Sequence, residues 1–439
     1  MNPRTPSRRT PAQRAARWSV ALMFLLNGFV LAGLMPRYPE LKVALALDEA
    51  AFGLVLACVT IGSLCAFALP APLIRRFGAV PVTLVGTVAM ILCTLAIGFA
   101  AAWLPVVLLV VLLMAGNGFC DAVVDAAQNV HGLAVEKAYG SAIFSALHAT
   151  WSIGSVAGGA LGLGAAALGI PLWAHLTGVG LLAGGLCLWS ASLARRSAHL
   201  VDGSRRTRTV VEHAGSSEPA AEAPWSSPRR NRSVDDPELA AEAHSPRQDP
   251  AAPVSPAWGL LALVIVLGVL GVLVEDVGLN WSAVYFEGVG GIPIGLAGAA
   301  YVVALGSQFV GRVLADGFTE RFGSVVLIRL GGLLTALGMG LMMTVGTPWA
   351  VLVGFACTGF GSATFVPTAY AVAGRLPGFK HGTAVAITSW VLRIGGLVSS
   401  PSIGFLAAAL GLRWAFLLPF LAGVVALLTA GTLRRVPPR

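Results

Sequence analysis

The chain has 439 residues, of which 56% are hydrophobic and only 11% charged, against roughly 25% charged in an ordinary soluble domain. Too few charges exist to coat a globule of this size in water, so the apolar excess must face lipid. The formal net charge of +9 does not indicate a nucleic-acid partner, because the basic residues lie between apolar runs, where they set membrane topology.

Residues 1–17 form a basic segment with Arg4, Arg8, Arg9, Arg14 and Arg17, followed by an apolar run from Trp18. No small-residue cleavage site follows the run and many apolar runs come after it, so it reads as a cytoplasmic tail and first span rather than a secretory signal. A bilayer core about 30 Å thick needs roughly 20 apolar residues per helix. By that measure the sequence predicts twelve spans, at 18–36, 52–74, 79–100, 103–127, 142–168, 170–193, 257–286, 294–315, 324–346, 348–374, 382–409 and 412–433. Six fall in a block at 18–194 and six in a block at 257–433. Between them, residues 195–256 are rich in Arg, Glu, Pro, Ser and Ala and lack apolar periodicity, the composition of a disordered cytoplasmic linker. A short tail at 434–439 ends the chain.

Lys and Arg alternate in density from loop to loop. Arg75, Arg76, Lys137, Arg312, Arg321, Arg375, Lys380, Arg434 and Arg435 fall on the side of the N-terminus, and little beyond Arg37, Lys42 and Arg413 on the other. Positive loops stay inside, so both termini are expected in the cytoplasm of a bacterial inner-membrane protein. The two blocks also echo one another. Arg76-Phe77-Gly78 closes the second span as Arg321-Phe322-Gly323 closes the eighth, and Gly116, Gly118 and Gly140 recur as Gly359, Gly361 and Gly382 at nearly the same offset. A shared internal period over half the chain points to duplication.

The six cysteines (Cys58, Cys65, Cys93, Cys120, Cys187 and Cys357) are scattered through apolar runs with no CxxC, which suits packing rather than a metal site or disulfide frame. No Walker A loop, HExxH or GxSxG motif is present. Neither an enzyme nor a cofactor is expected.

Charge is nearly absent from the third, sixth, ninth and twelfth spans, which can face lipid. Ionisable residues in the others are costly, at least ~2.5–3.5 kcal/mol at the bilayer centre, and so mark function by default. In the fourth span Asn117, Asp121, Asp125 and either Gln128 or Asn129 recur at four-residue spacing, which places them on one helix face. They form a polar stripe, with capping of the helix end the alternative for Asp125 and Asn129. His148 falls at a similar depth in the fifth span, either as the partner in an Asp–His proton relay or as a packed ring; Trp151 follows it. The seventh span carries Glu275, Asp276 and Asn280. The two acids point about 100° apart, so only one can face a given partner, and Gly278 offers a place to unwind the helix. Arg393, half way along the eleventh span, needs a counter-charge from Glu275, Asp276 or Asp121, or an anionic solute; Ser389, Ser399 and Ser400 add hydroxyls on the same helix. Asn27 in the first span and Gln308 in the eighth are further polar contacts.

The stretch from Gly311 to Gly323, with Arg312, Asp316 and Arg321-Phe322-Gly323, resembles the loop motif of the major facilitator superfamily. In the first-half copy, Pro70 to Gly78, Ala71 stands where the motif has an acid. Asn27-Gly28, Arg37-Tyr38-Pro39, Gly116-Asn117-Gly118 with Asp121, Asn129 and Glu136, and His148-Ala149-Thr150-Trp151-Ser152 resemble the YbjJ-like bacterial branch, distantly similar to fucose–proton symporters. The resemblance implies an all-α membrane protein, a bundle of 12 transmembrane helices in two pseudo-symmetric six-helix halves. Spans one, four, seven and ten would line a cavity and Arg312 and Asp316 would latch its cytoplasmic gate. The sugar symporters of that group have acids on the first and fourth spans, whereas here the first offers Asn27. The reading is a monomeric secondary active transporter in the lipid bilayer, coupled to protons and moving a small-molecule solute such as a sugar or organic acid. Efflux of drugs or metabolites, and a membrane sensor that no longer transports, are the alternatives.

Overall fold

The computed structural model describes residues 10–141, 143–214, 257–379 and 383–435. Every regular element among the described residues is helical. Ten helices are long and apolar enough to cross a membrane, or eleven when the bent pair Glu49–Cys65 and Pro70–Phe77 is taken as one span. The remaining span, Phe144–Ala167, is the fifth. It has fewer large apolar side chains because Gly154, Gly158 and Gly162 lie one turn apart and pack directly on the backbone of the first span at Leu25, Phe29 and Gly33. Small residues at that spacing let two membrane helices approach closely.

The first span begins at Pro11, earlier than its apolar run, because Thr10 builds a capping box: its hydroxyl accepts from Gln13 N–H at 3.2 Å and its N–H donates to Gln13 Oε1 at 3.0 Å. After Ala32 the chain turns through Met35–Arg37 into a short helix, Tyr38–Ala44, under the face opposite the termini. The second span bends by 54° between Cys65 and Pro70. Pro70 has no N–H to continue the ladder, and its ring favours a fresh helix start. The third and fourth spans are Ala79–Trp103 and Val107–Tyr139. The sixth runs from Leu172 to Ala214, so helix continues well past the boundary expected at residue 194. The rest of the expected linker, 215–256, lies outside the described residues, as do 1–9, Lys380 and 436–439.

The seventh span is Trp258–Asp276, a π-helical turn at Val277–Trp281, and Ser282–Gly288. The unwinding expected at Gly278 is therefore a widened turn rather than a break. The eighth, Ala299–Phe322, is continuous, unlike its first-half counterpart. The ninth is Ser324–Val345 and the tenth is Pro348–Ser362 with Phe365–Ala373. The eleventh is Thr383–Leu410 with Pro401 inside, and the twelfth runs from Leu412 to Arg435 in three short segments.

The packing pattern repeats between the halves. In the first, span one packs on five and six, and span four on two and three; in the second, seven packs on eleven and twelve, and ten on eight and nine. The halves meet through two pairs related by the same symmetry, two with eleven and five with eight. This is the two-repeat plan of a membrane transporter.

On the face opposite the termini the two halves are shut against each other. Tyr38, Phe52 and Trp281 form a ladder of edge-to-face rings, each pair 5.7 Å between centroids, that crosses from the first half to the second. All three rings are fully buried. Just beside them, spans two and eleven cross backbone to backbone at Gly53 and Gly404. A Cβ on Gly53 would stand 2.6 Å from the carbonyl oxygen of Ser400. No side chain fits there.

Candidate functional site

Toward the terminal face the halves part around a cavity of about 580 Å³, lined by the second, fourth and eleventh spans. The bend in span two makes the room: it swings Pro70, Ala71, Ile74 and Arg75 out to form one wall. Asp121, Asp125, Ser63 and Arg393 supply the cavity's other polar groups. The aromatic pair Phe67 and Trp390, 4.6 Å between centroids, bridges spans two and eleven beside it.

Asp121 is the acid of this cavity held by a residue of another span. Asn27 of the first span donates from Nδ2 to Asp121 Oδ1 at 2.8 Å, and Trp151 of the fifth donates from Nε1 to Asn27 Oδ1 at 2.8 Å. The amide orientation of Asn27 is thus fixed from both sides, and one Asp121 oxygen is held while the carboxylate stays at the cavity wall. Arg393 lies on the wall within Coulombic reach of Asp121 and is exposed to the cavity. It makes no ion pair among the described residues. Of its three possible counter-charges, Asp121 is the one the structure sets across the cavity.

Asp125 is exposed one turn further toward the terminal face. Asn129 donates to its backbone carbonyl at 2.8 Å and to its Oδ1 at 3.1 Å, and Gln128 approaches the same oxygen at 3.4 Å. Asn117, one turn before Asp121, does not reach the cavity. It is buried and donates to Met90 O at 3.3 Å and Thr94 Oγ1 at 2.9 Å, so it ties the fourth span to the third. The expected stripe therefore starts at Asp121, because Asn117 finds its partners on a lipid-side neighbour.

The Asp–His relay is not assembled here. The exposed ring of His148 stands edge-on to Phe24 and Phe144, 5.2 and 4.9 Å between centroids, and no hydrogen bond joins it to Asp121 or Asp125 among the described residues.

The two acids of the seventh span diverge as their angular separation requires. Glu275 turns to the eighth span, where Arg312 Nη2 donates to its Oε1 at 2.6 Å. Asp276 turns to the eleventh, where Ser399 and Ser400 donate to Oδ2 at 2.9 and 2.6 Å, and Asn280 donates to Oδ1 at 2.6 Å. Trp281 Nε1 in turn donates to Ser400 Oγ at 3.3 Å, linking this nest to the shut aromatic ladder. Neither acid borders the large cavity. Gln308 is buried near Glu275 at a void of about 10 Å³. Arg312 thus reaches inward to Glu275; the side chain of Asp316, its expected partner at the gate, lies outside the described residues. Ser63, Phe67 and Arg75 line the cavity, with Trp390 beside it, without having been expected there. The sequence offered a signal for Arg75 alone, the Pro70 break that turns the end of span two outward.

Across residues 20–316 and 267–439 the chain matches the Major Facilitator Superfamily. It belongs to that family of membrane transporters. An uncharacterized transporter of Sinorhizobium fredii is 27% identical over 412 residues, covering 94% of this chain and 95% of that one. Among solved structures, a D-xylose–proton symporter superposes with a TM-score of 0.65 at 14% identity, over 97% of this chain and 98% of the symporter. A variant of the nucleoside transporter NupG gives 0.64 at 14% identity, over 96% and 99%. The protein is therefore a multi-pass transporter of this fold and not an enzyme.

Proposed function

We propose that this transporter is driven by protons across a bacterial inner membrane and carries a small polar solute, a sugar or an organic acid, through the cavity between its halves. The observation that carries the reading is the pairing of Asp121 and Arg393 on facing walls of one cavity, with Asn27 and Trp151 holding the acid in place. A carboxylate that faces an arginine across a solute-sized gap can exchange its proton as the guanidinium gains or loses an anionic or hydroxyl-bearing partner. With the termini in the cytoplasm, as the Lys and Arg distribution indicates, the shut face is external and the cavity opens inward. The reading is tested in proteoliposomes with an imposed pH gradient and a panel of labelled sugars and organic acids. Uphill accumulation of one member, abolished by a protonophore, is expected. Movement of that solute that ignores the pH gradient overturns the coupling.

A further inference from the structure

A separate cavity of about 310 Å³ opens at the terminal face between spans one, four and five, away from the solute cavity. Arg14, Arg17, Trp18, Tyr139, Leu147 and Thr150 border it. Its volume lies within the range of small-molecule sites, about 300–1,000 Å³. Arg14 and Arg17 are three residues apart and so share a helix face. Neither meets a carboxylate among the described residues. Arg17 donates to the Tyr139 hydroxyl at 3.2 Å and rests over its ring at 5.5 Å. The nearest acid along that helix, Glu136, is committed to the backbone N–H groups of Ile143 and Phe144 at 2.7 Å each. Among the described residues, no carboxylate neutralises these two like charges at the mouth.

We infer that this cavity binds the phosphate of an anionic phospholipid headgroup. Guanidinium forks match phosphate oxygens and Thr150 adds a hydroxyl to the same wall. The depth fits: both arginines lie just before the apolar run begins at Trp18, where headgroups sit. Trp18 is 62% exposed, as an interfacial anchor is, and Ile153, one turn deeper than Thr150, is 50% exposed and gives an acyl chain an apolar wall. The site is on one half only, so it can hold a lipid in whichever state the transporter adopts.

The test is titration of the full chain in detergent with phosphatidylglycerol and with phosphatidylcholine, read as bound lipid by native mass spectrometry. Each arginine near the surface is expected to contribute about a five-fold gain in affinity for the anionic lipid. The double substitution Arg14→Gln and Arg17→Gln should lose that preference, while Arg14→Lys with Arg17→Lys, which keeps the charge, should retain most of it and report on folding. Equal retention of phosphatidylglycerol by the double Gln variant overturns the site. Equal binding of phosphatidylcholine by the wild type overturns the anionic headgroup. Displacement of the lipid by inorganic phosphate alone overturns the lipid as occupant.

Discussion

Gly53→Ala puts one methyl where spans two and eleven cross on the shut face. Its carbon would sit 2.6 Å from the Ser400 carbonyl oxygen and 3.2 Å from Gly404 Cα, both backbone atoms that cannot rotate away. Overpacking of this kind costs about 1–3 kcal/mol, and here the cost falls only on the state in which these helices touch. The equilibrium between shut and open external faces should move by about five- to 150-fold toward open. Spin labels at Val43→Cys and Leu410→Cys, both exposed on that face, would report it in a background lacking the six native cysteines. Double electron–electron resonance should show a longer distance gaining population in the Ala variant. An unchanged distance distribution in a folded variant would refute the inference that this crossing holds the face shut.

Two further outcomes follow from the hydrogen bonds. Trp151→Phe keeps the ring and removes the donor that orients Asn27, so it should cost about 0.5–1.5 kcal/mol of thermal stability and weaken solute affinity; loss of neither would show that Asn27 needs no orienting. Glu275→Gln leaves Arg312 without its charge partner inside the bundle. Both side chains are partly exposed, so about 1–2 kcal/mol is expected rather than the 3–5 of a fully buried pair. A double substitution with Arg312→Gln should cost less than the sum of the two single ones, as a thermal melt would show.

Most of the architecture was legible in the sequence because a bilayer leaves a helix few options. Runs of about 20 apolar residues, the alternation of basic loops and the echo of Arg76-Phe77-Gly78 in Arg321-Phe322-Gly323 placed twelve spans in two related sets. What could not be read was which neighbour each polar side chain would meet. Asn117 and Asp121 share a helix face by spacing, yet one bonds to the third span and the other to the first. Glu275 and Asp276 had to diverge, but only the packing of spans eight and eleven decides which acid meets arginine and which meets serine. Span two was expected as one run at 52–74, whereas Pro70 and Pro72 stand at a bend that builds a cavity wall from Pro70 to Arg75. The sixth helix overran its apolar segment because hydropathy marks where lipid ends, not where helix ends.

The central claim, that Asp121 carries the proton opposite Arg393, is tested most directly by Asp121→Asn in proteoliposomes. Asparagine keeps the size and can still bond to Asn27, but it cannot take up or release a proton. Exchange of labelled for unlabelled solute should persist while accumulation driven by a pH gradient falls by at least about ten-fold, the loss expected when a coupling step is removed. Full accumulation by Asp121→Asn would contradict the account.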